Sequence, residues 1–202
     1  LLAIALFYVG IFIFFRREKR FIYFAFICIL IGIRAMVTEH KPLLELLPSI
    51  SWFVVYAIEY LDMILLLSAY TLYMNSLFPG LLGRWFVRGL LLLCAIYGAI
   101  VLLAEPLVYT GFVNWFHALW GIAAAWISWR VGVYLIRNRP HTLEMVLVAL
   151  GMIVLFLGAI NDVAYYVFRI GRIANLLFER SMILCVFLHM VAMAVGFFRT
   201  EE

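Results

Sequence analysis

"LFLGAINDVAYYVF" (155–168) is an almost wholly apolar run that carries Asn161 and Asp162 side by side. An ionised carboxylate at the centre of a bilayer costs roughly 2.5–3.5 kcal/mol on insertion scales. A segment that keeps one there needs a partner for it or a use for it. The run has company along the chain. Apolar stretches lie at 1–15, 21–37, 50–74, 85–104, 112–136, 143–168 and 175–198. Turn or charge signals separate them: "RREKR" (16–20), "TEHKP" (38–42), "FPG" (78–80), "AEP" (104–106), "RNRPH" (137–141) and "RIGR" (169–172). In lipid only helices and closed barrels satisfy their own backbone. These runs are continuous and show no strict alternation, so helices are expected. The fold class read from them is all-α, a seven-helix transmembrane bundle occupying the whole of 1–202.

Composition agrees. The chain is 68% hydrophobic and 13% charged, with a mean hydropathy of +1.14. Soluble domains are about 45–50% apolar and about 25% charged. Too little polar surface exists here to cover a soluble globule, so the lipid bilayer is the expected surrounding. The net charge of +4 comes from basic residues at segment ends, which makes it an orientation signal. No basic face with interleaved aromatics is present, so nucleic acid is not an expected partner. Cys28, Cys94 and Cys185 lie inside apolar runs and read as small buried apolar residues. The first run falls short of the ~20 residues that span a bilayer, and it lacks the basic start and cleavage site of a signal peptide. It reads as a truncated first helix of an excised domain.

Orientation follows from Lys and Arg. The first, third and fifth loops and the C-terminal end carry Arg16, Arg17, Lys19, Arg20, Arg84, Arg88, Arg137, Arg139 and Arg199. The opposite loops carry Lys41, Arg169, Arg172 and Arg180. The richer side belongs in the cytoplasm. The expected topology therefore has the N-terminus outside and the C-terminus cytoplasmic. The arginines of the last outer loop count against it, but the first loop's basic cluster dominates.

With a direction for each span, depth follows at ~1.5 Å per residue. Arg34 falls in the outer quarter of the second span. In the third span, Glu59 lies ~12 Å and Asp62 ~17 Å below Ser51. His117 sits in the first turns of the fifth span. Asn161 and Asp162 lie two turns from the outer end of the sixth. Glu179 and Arg180 sit near the top of the seventh, with His189 deeper. The polar residues thus gather in the outer half. Gly151, Leu155, Gly158, Asp162, Tyr165 and Arg169 follow a 3–4 spacing and share a face, whose two glycines permit close helix approach. Tyr56, Glu59, Tyr60 and Met63 form a comparable stripe. A shared interior network is expected, with Arg34 facing Asp162 or Glu59. Such residues can also simply hold helices together, at roughly 0.6–2 kcal/mol per hydrogen bond. Trp52, Trp85, Trp115 and Tyr109 read as interfacial anchors.

Several chemistries can be set aside. A retinal protein needs a lysine in the last helix, and the only lysines are Lys19 and Lys41. The histidines His40, His117, His141 and His189 lie at different depths, which does not suit a metal site. No GxSxG elbow and no glycine-rich phosphate loop occurs. The interiors contain no proline and no symmetry, whereas transporters favour broken helices and repeats. No enzyme, cofactor or metal is expected.

Three stretches together resemble a family. They are "RREKRFIYFAFICILIGIRAMVTEH" (16–40), "LPSISWFVVYAIEYLDMILLLSAYTLYMNSLFPG" (47–80) and "LGAINDVAYY" (157–166). In this order they resemble the bacterial seven-transmembrane receptors with diverse intracellular signalling modules, over essentially the whole chain. The resemblance implies an extracellular sensor domain before the helices and a cytoplasmic output module after them, such as a histidine kinase, a diguanylate cyclase or a phosphatase. It also implies residence in the bacterial inner membrane. The family has no fixed catalytic motif in its helices, so none is carried over. A homodimer is expected by analogy with paired cytoplasmic outputs.

The resulting expectation is a receptor domain. It would relay an extracellular ligand or sensor-domain signal to a cytoplasmic signalling domain C-terminal to the chain. The candidate ligand-facing or coupling residues are Arg34, Glu59, Asp62, His117, Asn161, Asp162, Tyr165 and Glu179. The alternative function is a small-solute transporter or permease; a blander one is a membrane anchor that only holds other domains.

Overall fold

The computed structural model describes residues 2–14, 19–38, 41–137, 142–168 and 177–200. Among them the chain is helical, with nine helices and no strand: α1 (Leu2–Phe14), α2 (Lys19–Val37), α3 (Pro42–Leu46), α4 (Trp52–Leu77), α5 (Arg84–Leu103), α6 (Pro106–Gly111), α7 (Val113–Arg137), α8 (Leu143–Phe168) and α9 (Leu177–Thr200). Seven of these lie on the seven apolar runs. The other two, α3 and α6, are single-turn helices of five and six residues that the runs did not foretell. Each opens with a proline at its first position, Pro42 or Pro106. There the missing N–H is one that no helix would satisfy anyway, and the fixed φ suits the turn.

Local chemistry sets the boundaries. Ser51 caps α4, its hydroxyl accepting from the Phe53 N–H at 3.3 Å. Thr142 caps α8 in the same way through the Met145 N–H, also at 3.3 Å. The turn between α4 and α5 uses Gly80 and Gly83 at φ 80° and 79°, a left-handed region where a Cβ is strained. Inside α4 the hydroxyls of Ser68 and Thr71 donate to the carbonyls of Ile64 and Leu67, four residues back, at 2.9 and 2.8 Å. That bonding lets polar side chains sit in an apolar span.

Four helices, α2, α4, α5 and α7, are long and apolar enough to cross a membrane by length and composition. At 1.5 Å per residue even the shortest, α2, measures about 28 Å, close to a hydrocarbon core of about 30 Å. α8 and α9 contain the apolar stretches Leu143–Gly158 and Arg180–Gly196. Large apolar side chains stand outside: Trp85 is 86% exposed, Leu103 88% and Ile136 75%. In water such faces would drive aggregation; against lipid they cost nothing.

The chain divides into two units, Leu1–Ala123 and Ala124–Glu202. In the first, α2 packs against α1 and α4, and α4 packs against α5. Tyr8 meets Phe24 edge-on with centroids 5.0 Å apart, and Phe24 meets Tyr73 at 5.6 Å. A second core joins α4, α5, α6 and the start of α7 through Ile64, Leu67, Cys94, Tyr97, Tyr109 and Phe116. In the second unit, α8 packs along α9. Gly158 and Gly151 make that approach close, as their shared face implied. A Cβ at Gly158 would collide with the Ser181 hydroxyl and stand 3.1 Å from the Leu177 carbonyl. One at Gly151 would meet the Cys185 carbonyl at 3.4 Å. Cys28, Cys94 and Cys185 are all buried and free, as expected.

Candidate functional site

The polar side chains at the junction of α2, α3 and α4 form two charge pairs. Arg34 lies in the last turn of α2, where a cation complements the helix dipole. Thr38 closes the same end, its hydroxyl donating to the Arg34 carbonyl at 2.8 Å. The Arg34 guanidinium reaches Asp62 of α4, with Nη1 4.0 Å from Oδ2. The Asp62 side chain is 1% exposed. Neither of its oxygens, nor Arg34 Nε, has a hydrogen-bond partner among the described residues. The contact is thus a buried ion pair at the outer limit of contact, longer than the ~2.7–2.9 Å of a charge-assisted hydrogen bond. Coulomb attraction holds it, while the Asp62 carboxylate lacks the hydrogen bonds that normally offset the desolvation of a buried charge.

The second pair lies one turn nearer the start of α4. Lys41 Nζ stands 3.4 Å from Glu59 Oε2. The same ammonium lies 4.0 Å from the Tyr56 ring centroid and 5.3 Å from that of Trp52. Lys41 precedes α3 in the left-handed conformation, φ 48° and ψ 58°. Next to these pairs is an aromatic group. Tyr60 meets Tyr109 edge-on at 5.1 Å, Tyr97 stacks on Phe116 at 4.7 Å, and the Tyr97 hydroxyl donates to the Tyr109 carbonyl at 2.9 Å. Burial pushes the Tyr109 phenol above its ordinary pKa, and nearby Tyr56 pushes the same way.

The sequence-predicted residues divide accordingly. Arg34, Glu59 and Asp62 come together, but with a different pairing from the one expected. Among the described residues Arg34 takes Asp62 rather than Glu59, and Glu59 takes Lys41. The reason is helical phase. Asp62 is three residues beyond Glu59, which turns it by roughly 300° and carries it ~4.5 Å further along α4, onto the buried side that meets Arg34 of α2. His117 is exposed on α7, while its neighbour Phe116 is buried in the core. Asn161 is half-buried on α8. Asp162 and Tyr165 fall in α8 and Glu179 in α9, and their side chains lie outside the described residues. The sequence reading missed two participants. Lys41 reads in the sequence as a loop charge, although Trp52 and Tyr56, four residues apart, signal a ring pair on one face. Tyr109 is 2% exposed and no interfacial anchor. No group of three or more His, Cys, Asp or Glu that could hold a metal occurs among the described residues.

An arginine–carboxylate pair between neighbouring apolar helices, with apolar faces outside, fits a protein embedded in a membrane. A family model described as "7TM diverse intracellular signalling" matches residues 1–196. The chain belongs to that family. Membership makes it a multi-pass transmembrane protein of a signalling class, consistent with the lipid-facing helices of the first unit. No curated protein matches the chain, and no solved structure does.

Proposed function

We propose that the chain is the membrane-spanning transducer of a receptor. The seven helices on the apolar runs form its bundle in the bacterial inner membrane, six of them as complete spans and the 13-residue α1 as part of one, with the N-terminal side outside and the C-terminus in the cytoplasm. A ligand or a liganded outer domain acts on the cluster of Arg34, Asp62, Lys41 and Glu59. The change then passes along α7, whose residues belong to both units, toward α8, α9 and a cytoplasmic output module beyond the chain. Asn161, Asp162, Tyr165 and Glu179 would serve the same relay at the outer ends of α8 and α9. No catalytic step is assigned to the helices.

The observation that carries this reading is the long, buried Arg34–Asp62 contact. A pair that attracts without hydrogen bonding has two better arrangements close by. One closes into a bidentate salt bridge, and the other parts to admit water. Transduction requires such an element, because a signal can only bias two states that differ in their interactions. A dry, fully hydrogen-bonded pair would offer one arrangement. The test is replacement of the seven helices by unrelated spans of equal number in the full-length parent protein. Loss of stimulus-dependent output is expected. Unchanged signalling would leave only a membrane anchor.

A further inference from the structure

Lys41 is held in an unusual way. Its backbone adopts the left-handed conformation at φ 48°, which residues other than glycine, asparagine and aspartate seldom use. Its side chain is 18% exposed, although Trp52 and Tyr56 beside it are 56% and 40% exposed. The lysine side chain is therefore largely covered, while the two aromatic residues stand more open. Both ring centroids, at 4.0 and 5.3 Å, fall within the ~6 Å reach of cation–π attraction. The two rings are 6.2 Å apart and tilted by 36°, which forms an open corner. The Glu59 carboxylate closes the third side at 3.4 Å. The location is otherwise adverse to a cation, since the first turns of α4 present the positive end of the helix dipole and the first turn contains no acidic residue. Rings and carboxylate together outweigh that.

The geometry points to Trp52, Tyr56 and Glu59 as a binding box for a small organic ammonium ion, with the Lys41 ammonium as its tethered occupant. Two faces of π-density and one carboxylate are the recognition chemistry of alkylammonium and quaternary ammonium groups. A free ammonium ligand enters by displacing Lys41. The backbone of residue 41 stays in place through exchange, held by its N–H donating to the Thr38 carbonyl at 3.0 Å and its carbonyl accepting from the Leu44 N–H at 2.9 Å, so only the flexible side chain has to leave. The tethered competitor has an effective concentration on the order of millimolar or more, which keeps the box closed to weak cations. This deepens the receptor reading by naming a ligand class. It rests on that reading only for the signalling consequence, because the box binds or fails to bind independently of any output.

The experiment measures binding of tetramethylammonium and n-butylammonium to the 202-residue chain in nanodiscs by titration calorimetry. Wild type, Lys41→Ala, Lys41→Met and Lys41→Ala/Tyr56→Ala are compared. Both single variants should bind at least one probe tenfold or more tightly than wild type, and the double variant should lose that gain. Lys41→Met keeps the aliphatic stem, so it carries the test if Lys41→Ala does not fold. Equal affinity across all four proteins would overturn the assignment, as would a gain that survives Tyr56→Ala. Either result leaves the receptor reading standing on Arg34 and Asp62. Tight probe binding without any change in output of the parent protein would support the box while removing it from the relay.

Discussion

Gly158→Ala tests the packing on which α8 and α9 depend. The added Cβ would overlap the Ser181 hydroxyl, stand 2.7 Å from Ser181 Cβ and 3.1 Å from the Leu177 carbonyl. The hydroxyl can rotate away, but Ser181 Cβ and the carbonyl move only with α9. Restoring ordinary contact requires a helix shift of about 0.7 Å. Overpacking of this kind costs about 1–3 kcal/mol, and the better helix propensity of alanine returns up to about 1 kcal/mol. The net expectation is a loss of about 1 kcal/mol, or about 2–4 °C in Tm for a protein of this size. Gly151→Ala is the matched control. Its Cβ would meet nothing closer than 3.4 Å, so it should be neutral or slightly stabilising. Thermal melts in detergent, followed by circular dichroism, separate the two. Ser181→Gly removes the hydroxyl and Cβ but leaves the Leu177 carbonyl, so it should cost less in the Gly158→Ala background than in wild type. A Gly158→Ala protein that melts at or above wild type, or a Ser181→Gly change that costs the same in both backgrounds, would refute this description of the α8–α9 approach.

Two further outcomes are expected. Lys19 and Leu47 are exposed at opposite ends of α2 and the native cysteines are buried, so a membrane-impermeant thiol reagent applied to intact cells should label Leu47→Cys and spare Lys19→Cys; the reverse pattern would invert the proposed orientation. Tyr97→Phe removes the hydroxyl that donates to the Tyr109 carbonyl, which keeps the Phe112 N–H at 3.2 Å, so a loss of about 1 kcal/mol in melting stability is expected, and no change would show that bond to be dispensable.

The helices were legible because bilayer physics leaves so few options. An apolar run that ends at "FPG" or "RNRPH" admits one backbone solution, and the ends of α5 and α8 fall within a residue of the runs that foretold them. The α8 face was legible for a similar reason, since two glycines seven residues apart return to one side after two turns. The pairing of Arg34 was not legible. Asp62 and Glu59 are equivalent carboxylates in a sequence, and only the rotation of α4 against α2 selects Asp62 between them. Lys41 was hidden because a loop lysine looks solvated until the loop's own dihedrals fold it back over Tyr56. Tyr109 was misread because an aromatic at a helix end is an anchor or a core residue according to whether a neighbour such as Tyr60 covers it. The short helices α3 and α6 were overlooked because hydropathy windows reward length and a single proline-led turn has none.

If the Arg34–Asp62 pair is the switch, its two members must act as one unit. The decisive measurement is basal output of the full-length parent protein carrying Arg34→Gln, Asp62→Asn, and both. Each single change should move output in the same direction, and the double should move it no further than the larger single. Output that shifts in the double by the combined effect of two independent changes, or that stays at the wild-type level in all three, would contradict the pair's role in signalling.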